Sequence, residues 1–275
     1  METTLAGVGV VTLAPNVPGP AAAARLRALG ATVVKVEPLE GDPLEAFAPA
    51  WYAHLHRDTR VVRLDLKALD GREQLEHRLA QADVLLTSSR PSALERLGLA
   101  WEALHARHPR LAQVAIVGEA PPDAERPGHD LTYLAALGVL EPPNLPRTLM
   151  ADLAGAERAA ALALALLLRR EREGRAALAY VALAEVAREL AAPFAHGLTT
   201  AAGVLGGAFA GYRFYRARDG WIAVAALEPR FWERLCSELG VNASDLSPQL
   251  DFRARDAREW ERWARERDLP IVAVP

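Results

Sequence analysis

Three ionisable residues stand where a turn or a strand gives way to a predicted helix. His129 follows Pro127-Gly128, a pair that marks a change of chain direction. Asp152 comes immediately before a long apolar segment that predicts a helix, where a carboxylate accepts backbone N–H bonds and feels the positive end of the helix dipole. Glu228 ends a predicted strand. An imidazole and two carboxylates can act as general acids and bases, and we predict that the fold brings the three together around one carbonyl substrate.

Each of these residues also has a purely structural interpretation. Asp152 fits the N-cap position of the helix that follows it. His129 fits a loop histidine bonded to the backbone, and Glu228 fits an exposed acid at a helix start. We expect Asp130, directly after His129, to orient the loop rather than to take part in chemistry. Residue type and position alone leave both interpretations open.

The bulk composition is that of an ordinary soluble protein. The chain has 275 residues, about half of them apolar, and a net charge of −3, which gives no sign of nucleic-acid binding. The single cysteine, Cys236, excludes a disulfide within the chain and fits a reducing cytosol. The N-terminus lacks the basic start of a secretory signal, and the longest apolar run, 159–168, is shorter than the roughly 20 residues of a membrane helix. We therefore expect a cytoplasmic protein that does not span a membrane.

The first half of the chain alternates predicted strands and helices. A short apolar run over 8–13, a helix over 21–29 and a strand over 32–36 form a βαβ start, with Gly19-Pro20 opening the helix. This order favours an α/β fold with a doubly wound, mainly parallel sheet. No G-x-G-x-x-G motif follows the first strand, so dinucleotide binding is not indicated. Further strands are predicted over 60–67, 83–87 and 113–117, and further helices over 70–80 and 101–108.

The second half predicts a smaller, separate domain. A long helix covers 152–172, and the Ala-rich segment 176–194 is compatible either with a strand followed by a helix or with a helix alone. Four glycines over 203–211 mark a flexible connection. Beyond it, Asp219-Gly220 between two apolar runs predicts a β-hairpin. We predict a large domain over 1–200 and a smaller α+β domain over 201–275, with helices over 230–239 and 255–267 and a last strand over 271–274.

Three cations stand near the ends of the predicted strands. In open α/β sheets, ligands bind in the crevice outside the carboxyl ends of the strands. Arg90 lies in the loop after the strand 83–87, Arg96 follows it, and Lys67 ends the strand 60–67. These residues are candidates to bind a phosphate, and the alternative is that they are solvated surface cations.

Several stretches together resemble the class III CoA-transferase superfamily, the CaiB/BaiF family, which includes formyl-CoA transferases, carnitine CoA-transferases and α-methylacyl-CoA racemases. Their order and spacing over about 230 residues carry the resemblance, and the racemase branch is the most similar. The matching stretches are residues 5–11, Gly19-Pro20, Leu29-Gly-Ala-Thr-Val-Val-Lys-Val-Glu-Pro38, residues 64–67 and 82–86, Arg90-Pro-Ser-Ala-Leu-Glu-Arg-Leu-Gly-Leu99, Gly128-His-Asp130, Ala151-Asp152 and residues 219–229.

This resemblance implies a Rossmann-like large domain and a small domain, in a homodimer whose two chains are interlocked. It implies that the CoA nucleotide binds on the large domain and that the thioester reacts between domains. It implies neither a metal nor a tightly bound cofactor, since coenzyme A is part of the substrate. The positions that match the family's CoA contacts are Leu64, Lys67, Ser88, Ser89, Arg90, Arg96 and Leu97.

The resemblance also assigns roles to the three ionisable residues. In the transferases the aspartate matching Asp152 attacks an acyl-CoA and then carries CoA as an aspartyl thioester. In the racemases it is a general acid/base, faced across the α-carbon by the histidine that matches His129. Glu228 matches the carboxylate that holds this histidine, and we expect the start of the helix at Asp152 to supply N–H donors for the enolate. α-Proton exchange on a 2-methylacyl-CoA is therefore the first hypothesis, and CoA transfer the second.

The chain departs from the family pattern in three places. The Gly-rich segment before Gly128 is replaced by residues 118–126, and the loop before Asp152 is shortened. The chain ends at Pro275, where family members usually continue for many tens of residues, so we expect a trimmed small domain. A non-catalytic relative that binds CoA esters is the third hypothesis.

Overall fold

The computed structural model describes residues 3–245 and 248–275. The chain forms two compact units that divide between Leu190 and Ala191. We call them the large unit and the small unit. The domain limit expected between residues 200 and 201 stays a prediction. No helix among the described residues is long and apolar enough to cross a membrane.

A six-stranded parallel sheet forms the centre of the large unit. Its strand order is β3-β2-β1-β4-β5-β6, so the chain starts near the middle and winds outward in both directions, as a doubly wound α/β sheet does. β4 and β5 are buried along their whole length, which explains their continuous apolar runs. The strands are β1 (Gly9–Thr12), β2 (Thr32–Glu37), β3 (Arg60–Arg63), β4 (Val84–Thr87), β5 (Ala112–Val117) and β6 (Leu178–Ala182).

Helices cover both faces of this sheet in the large unit. Alanines of α1 and α8 pack closely over one face, and the leucines of α4, α5 and α6 pack over the other. The helices are α1 (Pro18–Ala28), α2 (Pro43–Phe47), α3 (Pro49–Leu55), α4 (Leu69–Leu79), α5 (Pro91–Arg96), α6 (Trp101–Arg107), α7 (Asp130–Ala136), α8 (Met150–Glu173) and α9 (Leu183–Leu190).

Two sequence-based expectations are corrected here, and one alternative is decided. The strand predicted to reach Lys67 ends at Arg63, because Asp65 turns the chain: its carboxylate accepts the N–H of Lys67 at 2.9 Å and its carbonyl that of Ala68 at 3.1 Å. The first helix begins at Pro18, three residues earlier than predicted. The segment 176–194 forms a strand followed by helices.

The small unit is built on a three-stranded antiparallel sheet with the order β7-β8-β9. The predicted hairpin is present, with Arg216 paired to Trp221 on either side of the Asp219-Gly220 turn. Trp260 anchors the core, and its indole N–H donates to the carbonyl of Phe252 at 2.6 Å. The elements are α10 (Ala192–Ala195), β7 (Tyr212–Arg216), β8 (Trp221–Ala225), α11 (Pro229–Leu239), α12 (Ala257–Arg265) and β9 (Ile271–Val274).

Candidate active site

A cleft of about 530 Å³ lies at the carboxyl ends of β1, β4 and β5 in the large unit. This is the edge at which parallel α/β sheets bind their ligands. The loops after these three strands and the first turns of α7 and α8 line it together. Its lining residues include Pro15, Asn16, Phe47, Ser88, Ser89, Arg90, Val117, Gly118, Gly128, His129, Asp130, Leu131, Tyr133, Leu149 and Asp152.

His129 and Asp152 both line this cleft. His129 is the residue before α7, and its backbone N–H donates to Oγ1 of Thr132 at 3.0 Å. The His129 side chain is exposed. Asp152 is half-buried in the first turn of α8. An imidazole and a carboxylate from two helix starts are therefore available to one bound molecule.

The environment of Asp152 favours its protonated form. Burial, and after it the negative charge of Asp130, raises the pKa of Asp152 from its ordinary value of 3.8 to about 6, and His129 acts in the opposite direction. Burial penalises the charged carboxylate because the cleft solvates it less well than water does. A carboxyl group with this pKa can both accept and donate a proton near neutral pH.

Asp130 caps the helix that carries Asp152. Its side chain is 3% exposed, and its Oδ1 accepts the backbone N–H groups of Ala151 at 2.6 Å and of Asp152 at 3.0 Å. The helix begins at Met150, so the interpretation of Asp152 as the N-cap is wrong. Asp130 already accepts the N–H groups of Ala151 and Asp152, so these two donors of the helix start are not available to an enolate.

Tyr133 is a cleft residue that the sequence did not single out. It lies one turn after His129 in α7, is buried, and packs its ring against Gly118 and Gly128. A Cβ atom on either glycine would lie 2.5 Å from the Tyr133 hydroxyl, so both positions must lack a side chain. Burial, Glu119 and Asp152 raise the pKa of Tyr133 to about 12, so its hydroxyl stays a hydrogen-bond donor.

Three of the seven expected CoA contacts line the cleft. Ser88 and Ser89 follow β4, and Arg90 precedes α5 with an exposed side chain that makes no ion pair with the described residues. The backbone N–H of Ser92 donates to the Glu125 carboxylate at 2.7 Å, which ties the loop after β4 to the loop after β5. These three residues therefore stand at the same cleft as His129 and Asp152.

The other four expected CoA contacts lie outside this cleft. Lys67 and Arg96 are exposed. Leu97 lines a second hollow of about 480 Å³ that also contains Leu66 and Arg107. Leu64 is 7% exposed and packs in the core, so its side chain is not available to a ligand.

Glu228 lies in the small unit, as the residue before α11. Its backbone carbonyl accepts the N–H groups of Phe231 and Trp232 at 2.9 and 3.0 Å. Its side chain is exposed and makes no hydrogen bond or ion pair with any residue in the described ranges. Its expected contact with His129 stays a prediction.

A buried ionic cluster forms behind one wall of the cleft. Oxygen and nitrogen atoms of Glu37, Asp42 and His56 lie within 4.8 Å of one another, a spacing that suits a metal ion. The ammonium of Lys35 occupies this position instead, 2.9 Å from His56 Nε2, 3.2 Å from Glu37 Oε1 and bonded to Asp42. Asp42 also accepts the N–H of Asn16 at 3.0 Å. The cluster thus holds a lining residue of the cleft in place.

Comparison with known proteins identifies the family. The chain matches the model of CoA-transferase family III over residues 5–269, and it belongs to this family of acyl-CoA enzymes. It is 34% identical to the alpha-methylacyl-CoA racemase of Mus musculus over 266 residues, which cover 90% of this chain and 67% of that protein. The racemase of Homo sapiens is 32% identical over 272 residues, with 90% and 68% covered.

A transferase relative resembles the chain in both sequence and structure. The probable fatty acyl-CoA transferase Rv3272 of Mycobacterium tuberculosis is 28% identical over 310 residues, which cover 93% of this chain and 78% of that protein. Its crystal structure superimposes with a TM-score of 0.86 at 27% identity, over all of this chain and 86% of the other. Both the racemase and the transferase branches are therefore represented among the relatives.

Proposed function

We propose that this protein exchanges the α-proton of a 2-methylacyl-CoA thioester, as a racemase or epimerase does. One observation carries the proposal: the exposed imidazole of His129 shares a cleft with Asp152, whose pKa is raised to about 6. Inversion at an α-carbon needs a base on one face and an acid on the other, both with pKa values near the working pH. The racemases that match 90% of the chain support the same choice.

Each of the two residues serves as the base for one enantiomer and as the acid for the other. Asp152 or neutral His129 removes the α-proton from one enantiomer, and the other residue, in its protonated form, returns a proton to the opposite face. Glu228 has the role of accepting a hydrogen bond from the second ring nitrogen of His129, which fixes the tautomer and favours the protonated ring. Its exposed and unpartnered side chain is compatible with that role.

The enolate formed between these steps needs hydrogen-bond donors. Ala151 and Asp152 cannot supply them, because their N–H groups are bonded to Asp130. The hydroxyl of Tyr133 is a buried donor at the cleft that stays protonated across the working pH range. We assign it to the thioester oxygen.

The CoA part of the substrate is assigned to the loop after β4 and the surface beyond it. Arg90 meets a phosphate at the cleft, and Ser88 and Ser89 line the path towards Asp152. Lys67 and Arg96 are exposed cations available to the nucleotide phosphates, and Leu97 offers an apolar contact in the second hollow. Leu64 takes part only through its backbone, because its side chain is buried.

CoA transfer is the second candidate, and the likeness to Rv3272 favours it. Here the Asp152 carboxylate attacks the thioester carbonyl and releases the CoA thiolate, which then attacks the mixed anhydride to leave an aspartyl thioester and a free acid. An acceptor carboxylate takes up CoA by the reverse sequence. A CoA-binding relative without activity is the third candidate.

One experiment separates the three. The protein is incubated with a 2-methylacyl-CoA in deuterated water, and in parallel with an acyl-CoA and a carboxylate acceptor. We expect deuterium at the α-carbon without any acceptor, loss of this label in Asp152→Asn, and its retention in Glu157→Gln, an exposed position on the same helix. New acyl-CoA that forms only with the acceptor, together with a trapped thioester on Asp152, would replace exchange by transfer. Binding of CoA esters with neither reaction would favour the third candidate.

A further inference from the structure

We propose that Asp130 is a positioning residue for Asp152: its buried carboxylate fixes the start of α8 and places a second negative charge beside the Asp152 carboxyl group. This inference rests on the proposed use of Asp152 in catalysis. It does not depend on whether that use is proton exchange or CoA transfer.

The first part follows from the contacts between the two helices. One oxygen, Asp130 Oδ1, accepts two N–H groups from residues 21 and 22 positions further along the chain. Leu149, the residue in the N-cap position of α8, provides no side-chain acceptor. Hydrogen bonds to an ionised acceptor are about twice as strong as neutral ones, and an acidic group is favoured at the amino end of a helix. Asp130 therefore anchors the turn that carries Asp152.

The second part follows from the other oxygen of the same carboxylate. Asp130 Oδ2 is buried and has no hydrogen-bond partner among the described residues. A buried acceptor left unsatisfied destabilises the fold, and more so when it is charged. Capping alone does not require this cost, because asparagine or serine caps helices as well as aspartate does. The cap alone therefore does not account for a buried negative charge with one unpartnered oxygen at this position.

The groups that act on Asp152 show what the charge does. After burial, Asp130 is the next largest cause that raises the pKa of Asp152, and His129 opposes it. Tyr133 is neutral, because its pKa is raised to about 12, and the charge of Glu119 contributes to raising the pKa of Tyr133. Asp130 is thus the acidic neighbour that helps Asp152 to hold a proton near neutral pH, where a general acid/base works best.

The test reads the titration of Asp152 directly, in the full-length protein labelled with ¹³C at aspartate carboxyl groups. Asp152→Asn assigns the resonance. In Asp130→Asn, which keeps an acceptor oxygen but loses the charge, the Asp152 midpoint should fall by about one pH unit. Asp130→Ser, a shorter neutral cap, should give the same fall. Asp256→Asn, at the cap of α12 in the small unit, is the matched control and should leave the midpoint unchanged.

Melting temperatures separate the helix-capping role of Asp130 from the role of its negative charge. Asp130→Ala should lower the melting temperature more than Asp130→Asn does, because it removes the acceptor as well. An unchanged Asp152 midpoint in both neutral variants would overturn the role of the charge. An Asp130→Ala protein as stable as the wild type would overturn the anchoring. If both effects appear while the wild type neither exchanges protons nor transfers CoA, the positioning role stands and the proposed function fails.

Discussion

The carboxylate of Asp130 accepts the backbone N–H of Asp152 at 3.0 Å, although the two residues lie in the first turns of different helices. Through this contact, α7 and α8 present His129 and Asp152 to one cleft. The site is therefore built by two helix starts that are bonded to each other.

Replacement of Asp152 by asparagine should abolish activity and stabilise the fold above pH 6. The pKa of Asp152 is about 6 in the folded protein, above its ordinary value of 3.8. The folded state therefore binds this proton more tightly than the unfolded state, and the resulting stability, complete below pH 3.8, is lost as the pH rises through 6. The ionised group costs about 2–3 kcal/mol at pH 8. Denaturant unfolding at pH 8 and at pH 4.5 should show a gain that shrinks at the lower pH.

Replacement of His129 by glutamine should distinguish the two chemistries. The side chain lines the cleft and is exposed, so its loss should leave the fold intact. We expect α-proton exchange to fall by about 100-fold or more, since acid–base catalysis contributes 10²–10⁴-fold. Any CoA transfer through Asp152 should persist. Full exchange activity in this variant, measured by mass spectrometry, would remove His129 from the mechanism.

Replacement of Glu228 by glutamine should lower exchange through its effect on His129. A neutral amide no longer favours the protonated ring, so the expected loss is about 10- to 100-fold, within the range of acid–base catalysis. The pH–rate profile should shift with it, because the imidazole loses its charged partner. Glu233→Gln, on α11 one turn further, is the control. An unchanged profile in Glu228→Gln would leave His129 without this partner.

Arg90 should act on binding rather than on chemistry. A charge-assisted hydrogen bond to phosphate contributes about 1.5–3 kcal/mol, so Arg90→Ala should raise KM about tenfold or more with little change in kcat. The effect should weaken at high salt, since the side chain is exposed. Steady-state kinetics with an acyl-CoA and with the matching acyl-pantetheine would show whether Arg90 contacts the nucleotide phosphates. The pantetheine ester lacks these phosphates, so its KM should not change in the variant. An equal loss with both substrates would contradict the assignment.

Lys35 should be essential for stability. Its side chain is 1% exposed and contacts Glu37, Asp42 and His56, so Lys35→Met leaves the buried Asp42 carboxylate without a counter-charge. Such a loss costs about 3–5 kcal/mol. Arg25→Met, which breaks an exposed pair with Glu157, should cost less than about 1 kcal/mol. Thermal unfolding of the two variants compares their losses of stability, and equal losses would contradict the predicted importance of Lys35.

The sequence predicted those parts of the fold that depend on neighbouring residues. The βαβ start, the buried strands and the hairpin at Asp219-Gly220 follow from local patterns of apolar residues and turns. It also marked His129 and Asp152, because each stands at a predicted helix start, and the loop ending at Arg90, because it follows a strand at the edge where such sheets bind ligands.

Contacts between distant segments could not be predicted in the same way. Asp130 caps a helix that begins 20 positions later, and nothing in the residues around Asp152 reveals that acceptor. Leu64, which the family resemblance had implied as a contact of CoA, packs in the core against residues from distant segments. Tyr133 was missed because its place depends on the space left by Gly118, fifteen positions away.

The most direct test of the central claim uses the two enantiomers of one 2-methylacyl-CoA, each incubated separately with the wild-type protein in deuterated water without an acceptor. If one acid/base residue lies on each face of the α-carbon, each enantiomer should gain one deuterium, and both reactions should reach the same mixture of stereoisomers. The Asp152→Asn protein should do neither. Recovery of both enantiomers unlabelled and uninverted, with binding of the esters demonstrated in the same samples, would contradict α-proton exchange by His129 and Asp152.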